Sequence, residues 1–260
     1  MIGVGYRKEM LDWDAQAIAA AFFEVAPENW IRKDRSPLYR LIESGRPVYL
    51  HGVSLNLAGT APLDLAFLHE VRALIEDIGA PVYSDHLSAT GYDGHLYDLF
   101  PVPFTLQEAR RVADRVRAVQ DVLGRQIAVE NITWYTNTGD LPEAEFVAEV
   151  LRLADCRLLL DLNNIAVNDK NHRTGTPQDF IAQLDLQRVA YIHVAGHEFD
   201  PRFGLYMDTH SQPVEAPVQR LARELNQQTG IPVLLEWDND VPDLDTLNKE
   251  LQCLQSSIAI

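Results

Sequence analysis

Histidines and carboxylic acids recur at the ends of apolar runs in this sequence of 260 residues. RLLLDLNN (157–164), for example, passes directly from apolar residues into an acid and two amides. Any one such residue has a structural explanation, since Asp and Asn are ordinary turn residues. The set taken together is His51, Asp85, His86, Glu130, Asn131, Asp161, Asn164, His193, His197, Glu236 and Asp238, with Asp208 and His210 in the loop after the seventh run.

Imidazole and carboxylate groups are ligands typical of iron, manganese and zinc. No thiolate is placed to join them, which disfavours a structural zinc site of the cysteine type. A cluster of buried carboxylates without cations would be costly. Because the acids and histidines exceed the needs of one ion, the sequence predicts two or three metal ions with at least one bridging carboxylate.

The elements that must position these residues alternate along the chain. Nearly continuous apolar runs are typical of parallel strands covered on both faces, and amphipathic segments with helix caps separate them. One helix is predicted from Thr105, in a capping box with Glu108, to Gly124, and others end at Gly79 and Gly230. The runs are 2–5, 22–26, 48–54, 82–88, 127–132, 157–163, 189–196 and 233–238.

Eight such units predict an α/β fold, a (β/α)8 TIM barrel forming one domain over residues 1–260. A doubly wound open sheet would normally carry a glycine-rich phosphate turn after an early strand, and the versions of that turn here are poor. In a barrel, the carboxyl ends of all strands form one rim, where active sites are built. The fold therefore predicts that the polar strand ends meet.

Composition limits the partners. The chain is 47% hydrophobic and 23% charged, and its net charge of −16 argues against nucleic-acid and anionic-membrane partners. The apolar run AIAAAFFEVA (17–26) is too short to span a bilayer, and the opening residues lack the order of a signal peptide. Cys156 and Cys253 make no disulfide framework, so we expect buried thiols in a cytoplasmic protein.

Segments that span nearly the whole chain resemble the DUF692 (UPF0276) family, and they occur in the family's order. The resemblance implies a xylose isomerase-like TIM barrel and, as in MbnB-like members, a multinuclear non-haem iron enzyme. It implies two or three iron ions, with zinc or manganese as the alternative. Such enzymes use dioxygen to modify cysteines of ribosomally made precursor peptides, and a small partner protein presents the peptide. The segments are HGVSLNLAG, YSDHLSATG, DLFPVPFT, IAVENITWY, LLLDLNNIAVN, YIHVAGHE, DTHSQPV and LLEWDNDVP.

The same residues resemble the trinuclear zinc enzyme endonuclease IV, with one departure. Asn164 stands where the endonuclease pattern has a histidine, and the DUF692 pattern itself has Asn there. We expect His197 to compensate for this weaker ligand. The resemblance implies that the other metal ligands of the endonuclease pattern correspond here to His51, His86, Glu130, Asp161, His193, Asp208, His210 and Glu236.

We assign Glu130 as the bridge between the first two ions. Asp85 and Asp238 are expected to orient ligating histidines, and with Glu130 they are the predicted catalytic residues. The other ligands of the first ion are expected to be His51 and His86. Those of the second ion are expected to be Asp161, His193 and Glu236, and those of a third ion Asn164, Asp208 and His210.

Other polar residues receive lesser roles. Glu24 and Glu28, at the second strand end, are candidate supports or substrate contacts. His69 in a helix and His172 in the loop 168–175 are expected to be solvated, and His95 is a candidate substrate contact.

Three other functions remain open from sequence. A hydrolase such as a phosphoesterase would use zinc or manganese to activate water. A sugar isomerase would normally need a lysine near the site, and none lies at a strand end. A metal-storage protein would need saturated coordination.

The weaker ligand at Asn164 gives a testable prediction. A neutral amide stabilises a cation less than a carboxylate or imidazole does, so the third ion should leave first on mild chelation, and Asn164→His should retain it longer. Graded chelation followed by metal counting measures this. If Asn164 only caps a turn, the substitution costs ~1 kcal/mol of stability and the release curves coincide.

Overall fold

The computed structural model describes residues 1–91 and 98–256. Eight parallel strands close into a barrel, in which neighbours in sequence are neighbours in space and the first strand pairs with the last. The predicted (β/α)8 barrel is confirmed. Its strands are β1 (Ile2–Gly5), β2 (Phe23–Val25), β3 (Val48–Gly52), β4 (Tyr83–His86), β5 (Ala128–Glu130), β6 (Arg157–Asp161), β7 (Val189–Val194) and β10 (Val233–Leu235). A separate antiparallel ribbon follows β7 and consists of β8 (Glu198–Asp200) and β9 (Leu205–Met207).

Helices cover the outside of the barrel. The predicted N-cap at Thr105 and the predicted glycine ends are present, but the capping box is incomplete, because the Glu108 carboxylate accepts from Arg111 instead of the Thr105 backbone. The Thr105 hydroxyl accepts the Glu108 backbone N–H, and Gly79, Gly124 and Gly230 end their helices in the left-handed conformation that glycine adopts without cost. The helices are α1 (Ser36–Glu43), α2 (Leu65–Ile78), α3 (Leu106–Leu123), α4 (Glu143–Ala154), α5 (Leu162–His172), α6 (Pro177–Ile181), α7 (Ala216–Thr229) and α8 (Leu244–Gln255).

The chain after β6 differs from the prediction. The strand ends at Asp161, and α5 begins at the next residue, so the expected loop around His172 is mostly helix. The Asp161 side chain caps this helix by accepting the Asn164 backbone N–H at 2.7 Å. Every residue from Leu162 to Asn168 is buried, so the helix lacks the amphipathic pattern by which it is recognised. The prediction that His172 is solvated is wrong, because its half-buried ring stacks on Trp134 at 4.2 Å between centroids.

Two apolar layers hold the barrel. The larger core joins strands and helices, and it contains Cys156. Cys253, in contrast, is exposed on α8, so the prediction that it is buried is wrong. No helix in the described ranges is long and apolar enough to cross a membrane. A smaller cluster, which we call the floor, contains Phe22, Tyr49, Ala128, Leu159, Ala190, Tyr191 and Leu234.

Glu143, at the start of α4, gives a prediction for stability. Its carboxylate accepts hydrogen bonds from Trp134 and Asn168, but burial raises its pKa to about 7 from an ordinary 4.5. The native chain therefore binds more protons than the unfolded chain between pH 4.5 and 7, and the free energy of unfolding falls as pH rises through this window. Glu143→Gln has no titrating group at this position, so its free energy of unfolding should decrease over this pH window by up to about 3 kcal/mol less than that of the wild type. Denaturant unfolding at pH 5 and pH 8 measures it; an equal difference between variant and wild type at both pH values would contradict it.

Candidate metal centre

The polar strand ends lie directly above the floor. Side chains two residues apart on a strand point to the same face. Because Tyr49, Ala128, Leu159, Tyr191 and Leu234 fill the floor, the residues two positions later point to the same side at the rim. These are His51, Glu130, Asp161, His193 and Glu236, and all five are buried.

The first group consists of His51, His86 and Glu130. Glu130 Oε2 lies 3.1 Å from His51 Nε2 and 3.2 Å from His86 Nε2. The two Nε2 atoms are 3.3 Å apart. His86 Nδ1 is 3.2 Å from the Gly52 carbonyl oxygen, which only accepts. His86 Nδ1 must therefore carry the proton, and a neutral His86 presents a lone pair at Nε2.

A chain of hydrogen bonds likewise determines which nitrogen of a neutral His51 carries the proton. The Tyr191 hydroxyl donates to Glu24 Oε2 at 2.6 Å, so the Ser84 hydroxyl, 2.6 Å from it, donates to Tyr191. Ser84 Oγ can then accept from His51 Nδ1, which lies 2.9 Å away. A neutral His51 consequently also presents a lone pair at Nε2. Two imidazole lone pairs and a carboxylate oxygen converge on one point.

The second group surrounds His193. Its Nε2 donates to Glu24 Oε2 at 2.9 Å, and its Nδ1 faces Glu130 Oε1 at 3.4 Å and Glu236 Oε2 at 3.1 Å. Burial favours the neutral ring, in which Nδ1 would carry a lone pair, but Glu24 and Glu236 raise the pKa of His193. Asp161 Oδ2 lies 4.0 Å from the same nitrogen. His193 Nδ1, Asp161 Oδ2 and Glu130 Oε2 are buried without a hydrogen-bond partner. Unpartnered buried acceptors are costly, and a cation among them removes that cost.

The electrostatics of the two groups attract positive charge. Although burial favours the neutral ring, Glu130 and Glu24 raise the pKa of His51 to about 9. Burial raises the pKa of Glu130, but His86 and His51 outweigh it and hold that pKa below its usual value. Burial and the neighbouring Glu130 raise the pKa of Asp161. The residues fit metal ions, which would compete with protons for the same lone pairs.

Glu130 belongs to both groups. In each group the possible ligand atoms all lie within 4.8 Å of one another. The structure thus brings together the residues that the sequence assigned to the first and second ions, and Glu130 stands where a bridging carboxylate would stand. Their role as ligands stays a prediction. The groups are His51, His86 and Glu130, and Glu130, Asp161, His193 and Glu236.

A third group consists of His210, Glu236 and Asp238. His210 Nε2 is 2.8 Å from Asp208 Oδ1, and His210 Nδ1 is 3.0 Å from Asp238 Oδ2. Burial favours the neutral ring, but the neighbouring carboxylates of Asp208 and Glu236 raise the pKa of His210. Each ring nitrogen has a carboxylate partner, and Asp238 orients the ring.

Arg7 adds a cation that the sequence analysis did not include. Its Nε is 2.5 Å from Asp238 Oδ1, and its Nη2 is 3.1 Å from Glu236 Oε1. The position of Arg7, two residues after the apolar strand β1, is the same signal that identified the other rim residues. Arg7 was not among the predicted site residues because a guanidinium is not a metal ligand.

Asn164 is hydrogen-bonded within the protein. Its Oδ1 accepts from the Thr133 hydroxyl at 2.7 Å, and its Nδ2 donates to the Asn131 carbonyl at 3.0 Å. The residue nevertheless lines the cavity above the centre.

His197 is not brought to the metal groups. Its Nδ1 lies 2.7 Å from Asn163 Oδ1, and its Nε2 is 2.6 Å from Lys170 Nζ and 3.2 Å from Glu215. With both nitrogens occupied, the geometry gives no support to the expectation that it compensates for Asn164. Asn163 also donates to Asp208 at 2.6 Å, so it supports the loop from below.

Asp85 does not orient His86 through its ring. The distance from Asp85 Oδ1 to His86 Nδ1 is 4.0 Å, and the Gly52 carbonyl takes that place. Asp85 instead accepts the backbone N–H groups of His86 and Leu55, while burial and Glu28 raise its pKa to about 7.

The remaining predicted residues have other positions. Glu24 supports His193, whereas Glu28 accepts the Val53 backbone N–H. His69 is exposed on α2, as predicted, and His95 lies outside the described residues.

A cavity of about 570 Å³ opens above the three groups. This volume is within the range of small-ligand sites. Besides the candidate ligands, its wall includes Val53, Thr90, Leu99, Thr133, Tyr135 and Thr209.

Sequence comparison places this geometry in a family. The model of the RiPP precursor modification enzymes MbnB/TglH/ChrH matches residues 1–259. The chain belongs to this family. A UPF0276 protein of Shewanella sediminis is 40% identical over 256 residues, covering 96% of this chain and 91% of that protein. A UPF0276 protein of Pseudomonas aeruginosa (strain UCBPP-PA14) is 43% identical, with coverage of 95% and 89%.

Solved structures support the fold. The 3-keto-D-glucoside 4-epimerase YcjR of E. coli is similar with a TM-score of 0.66 at 13% identity, covering 98% of both chains. D-psicose 3-epimerase of Clostridium cellulolyticum H10 gives a TM-score of 0.64 at 11% identity, with coverage of 98% and 96%. These likenesses, together with that to a xylose isomerase domain protein of Planctomyces limnophilus at a TM-score of 0.59, confirm the TIM-barrel fold.

The shared position of Glu130 gives a prediction. If its carboxylate bridges two ions, Glu130→Ala should lower metal content by more than one ion per chain and leave the fold intact, because the floor and core lie beneath the rim. Elemental analysis and circular dichroism measure both. Glu143→Ala, which removes a buried carboxylate outside the centre, is the matched control. Full metal occupancy in a folded Glu130→Ala protein would contradict the bridging role.

Proposed function

We propose that this chain is a multinuclear non-haem iron enzyme that uses dioxygen to modify cysteine in a ribosomally synthesised precursor peptide. One observation carries the metal centre: three imidazole nitrogens, in His51, His86 and His193, lie 3.1, 3.2 and 3.4 Å from the shared carboxylate of Glu130. Membership of a family of RiPP precursor modification enzymes supports a peptide as substrate.

Iron fits the donor set of imidazole and carboxylate groups. When bound, it would supply redox chemistry, since it takes both a thiolate and dioxygen as ligands. His51, His86 and Glu130 would hold one ion, and Glu130, Asp161, His193 and Glu236 a second. Asn164, Asp208 and His210 remain the proposed ligands of a third. Zinc or manganese is the alternative metal.

The protein's own groups would orient the centre and receive the substrate. Ser84, Gly52 and Glu24 each accept a hydrogen bond from one nitrogen of a ligating histidine, so the other nitrogen of the neutral ring would be available to a metal ion, while Asp238 orients His210. The cavity wall combines apolar and hydroxyl groups, which suits a short peptide segment with a small thiol side chain.

The cavity also bears on the alternatives. Among the described residues that line it there is no lysine, as a sugar isomerase would normally require. Lys170 instead pairs with His197 and Glu215. A small partner protein that presents the peptide, and a cytoplasmic location, belong to the same proposal.

The test combines metal and peptide. We expect protein purified in air to hold more than one equivalent of iron, and, with a cysteine-containing peptide encoded beside its gene and the partner protein, to consume dioxygen. Mass spectrometry should find the mass change in the fragment that contains cysteine. A Cys→Ser peptide and the Glu130→Ala enzyme are the controls. Less than half an equivalent of transition metal after anaerobic reconstitution, or zinc alone with no dioxygen consumed, would refute the proposal.

A further inference from the structure

The guanidinium of Arg7 lies between two carboxylates of the third group. It donates to Asp238 Oδ1 and to Glu236 Oε1, while the other oxygen of each carboxylate faces His210. The Arg7 side chain is 19% exposed. An arginine keeps its charge at every physiological pH, so this cation is permanent.

The third group therefore contains a permanent cation. In the described parts of the chain, no arginine or lysine forms an ion pair with Glu130 or Asp161. Glu236 also belongs to the second group, but Arg7 contacts its Oε1 and leaves Oε2 directed at His193. The single charge of Arg7 thus offsets one of the two negative charges of Glu236 and Asp238 before any metal arrives.

A third ion bound through His210 would lie beside the two acids that Arg7 already contacts, and it would meet the charge of the guanidinium there. Like charges a few ångströms apart repel, and the repulsion is strong where water is scarce. The weakness of this site thus has an electrostatic cause that is separate from the neutral ligand Asn164.

We propose that Arg7 sets the occupancy of the third metal position, acting as a fixed cation that keeps an ion there exchangeable. Arg7 is a positioning residue as well, because it holds Glu236 Oε1 and leaves Oε2 directed at His193. The inference rests on the metal centre of the proposed function but needs neither the peptide nor dioxygen.

The test replaces the charge and keeps the bulk. Wild-type protein and Arg7→Met are reconstituted with Zn²⁺ under nitrogen, treated with graded EDTA, and counted for zinc. We expect the Met variant to keep its most labile ion up to an EDTA concentration at least tenfold higher than wild type does, or to bind one ion more than wild type. Zn²⁺ has no redox chemistry, so the readout is independent of oxidation.

Two controls separate charge from structure. Arg7→Lys keeps the cation but loses the planar fork, so its release curve should follow wild type; a purely structural role would make it behave like Met. Arg115→Met removes an arginine that donates to the carbonyls of Leu57 and Ala61 outside the cavity lining, and it should leave release unchanged. Arg7→Gln replaces Arg7→Met if thermal unfolding shows the latter to be misfolded.

The outcomes are distinct. Tighter retention in the neutral variants, with Lys like wild type, supports the role of Arg7. Unchanged or weaker retention of the most labile ion, or a Lys variant that behaves like Met, overturns it while leaving the first two ions in place. No zinc bound in any variant would instead contradict the metal centre of the proposed function.

Discussion

The centre depends on where three imidazole protons are held. Gly52, Ser84 and Glu24 each take one N–H from the side of the ring that faces away from Glu130. Since a neutral imidazole has one proton, the opposite nitrogen of each neutral ring is a hydrogen-bond acceptor, and it lies next to carboxylate oxygens that are acceptors as well. The arrangement is stable only with positive charge at its centre. This constraint explains why so many charged groups lie buried at one end of an otherwise apolar barrel.

The packing of the apolar floor determines where the polar side chains at the rim lie. Tyr191 shows this directly, since its ring packs in the floor while its hydroxyl contacts Glu24 and Ser84, which in turn hold His193 and His51. The packing beneath the rim and the hydrogen bonds at the rim are therefore connected through the same side chain. A substitution in the floor would move the proton acceptors together with the side chains.

Much of this was predictable from sequence, because strands and capped helices have local patterns. The eight runs, the helix ends at glycine and the meeting of His51, His86, Glu130, Asp161, His193 and Glu236 all follow from periodicity and barrel topology. The helix α5 was not predicted, because its first two turns are buried on every side. Arg7 has the strand-end position of the other rim residues but was missed because a guanidinium is not a metal ligand. The hydrogen-bond partners of His197 were missed for another reason: they depend on which groups face one another across the rim, and spacing along the chain contains no information about that.

The closure of the barrel has a consequence for biogenesis. β1 meets β10, and Arg7 from just beyond the former contacts Glu236 and Asp238 from just beyond the latter. The ribosome makes His51, His86 and Glu130 well before Glu236. If Glu130 bridges two ions as proposed, the second ion would lack one of its ligands until the closing strand is synthesised, and a chain truncated before Glu236 could not assemble both sites.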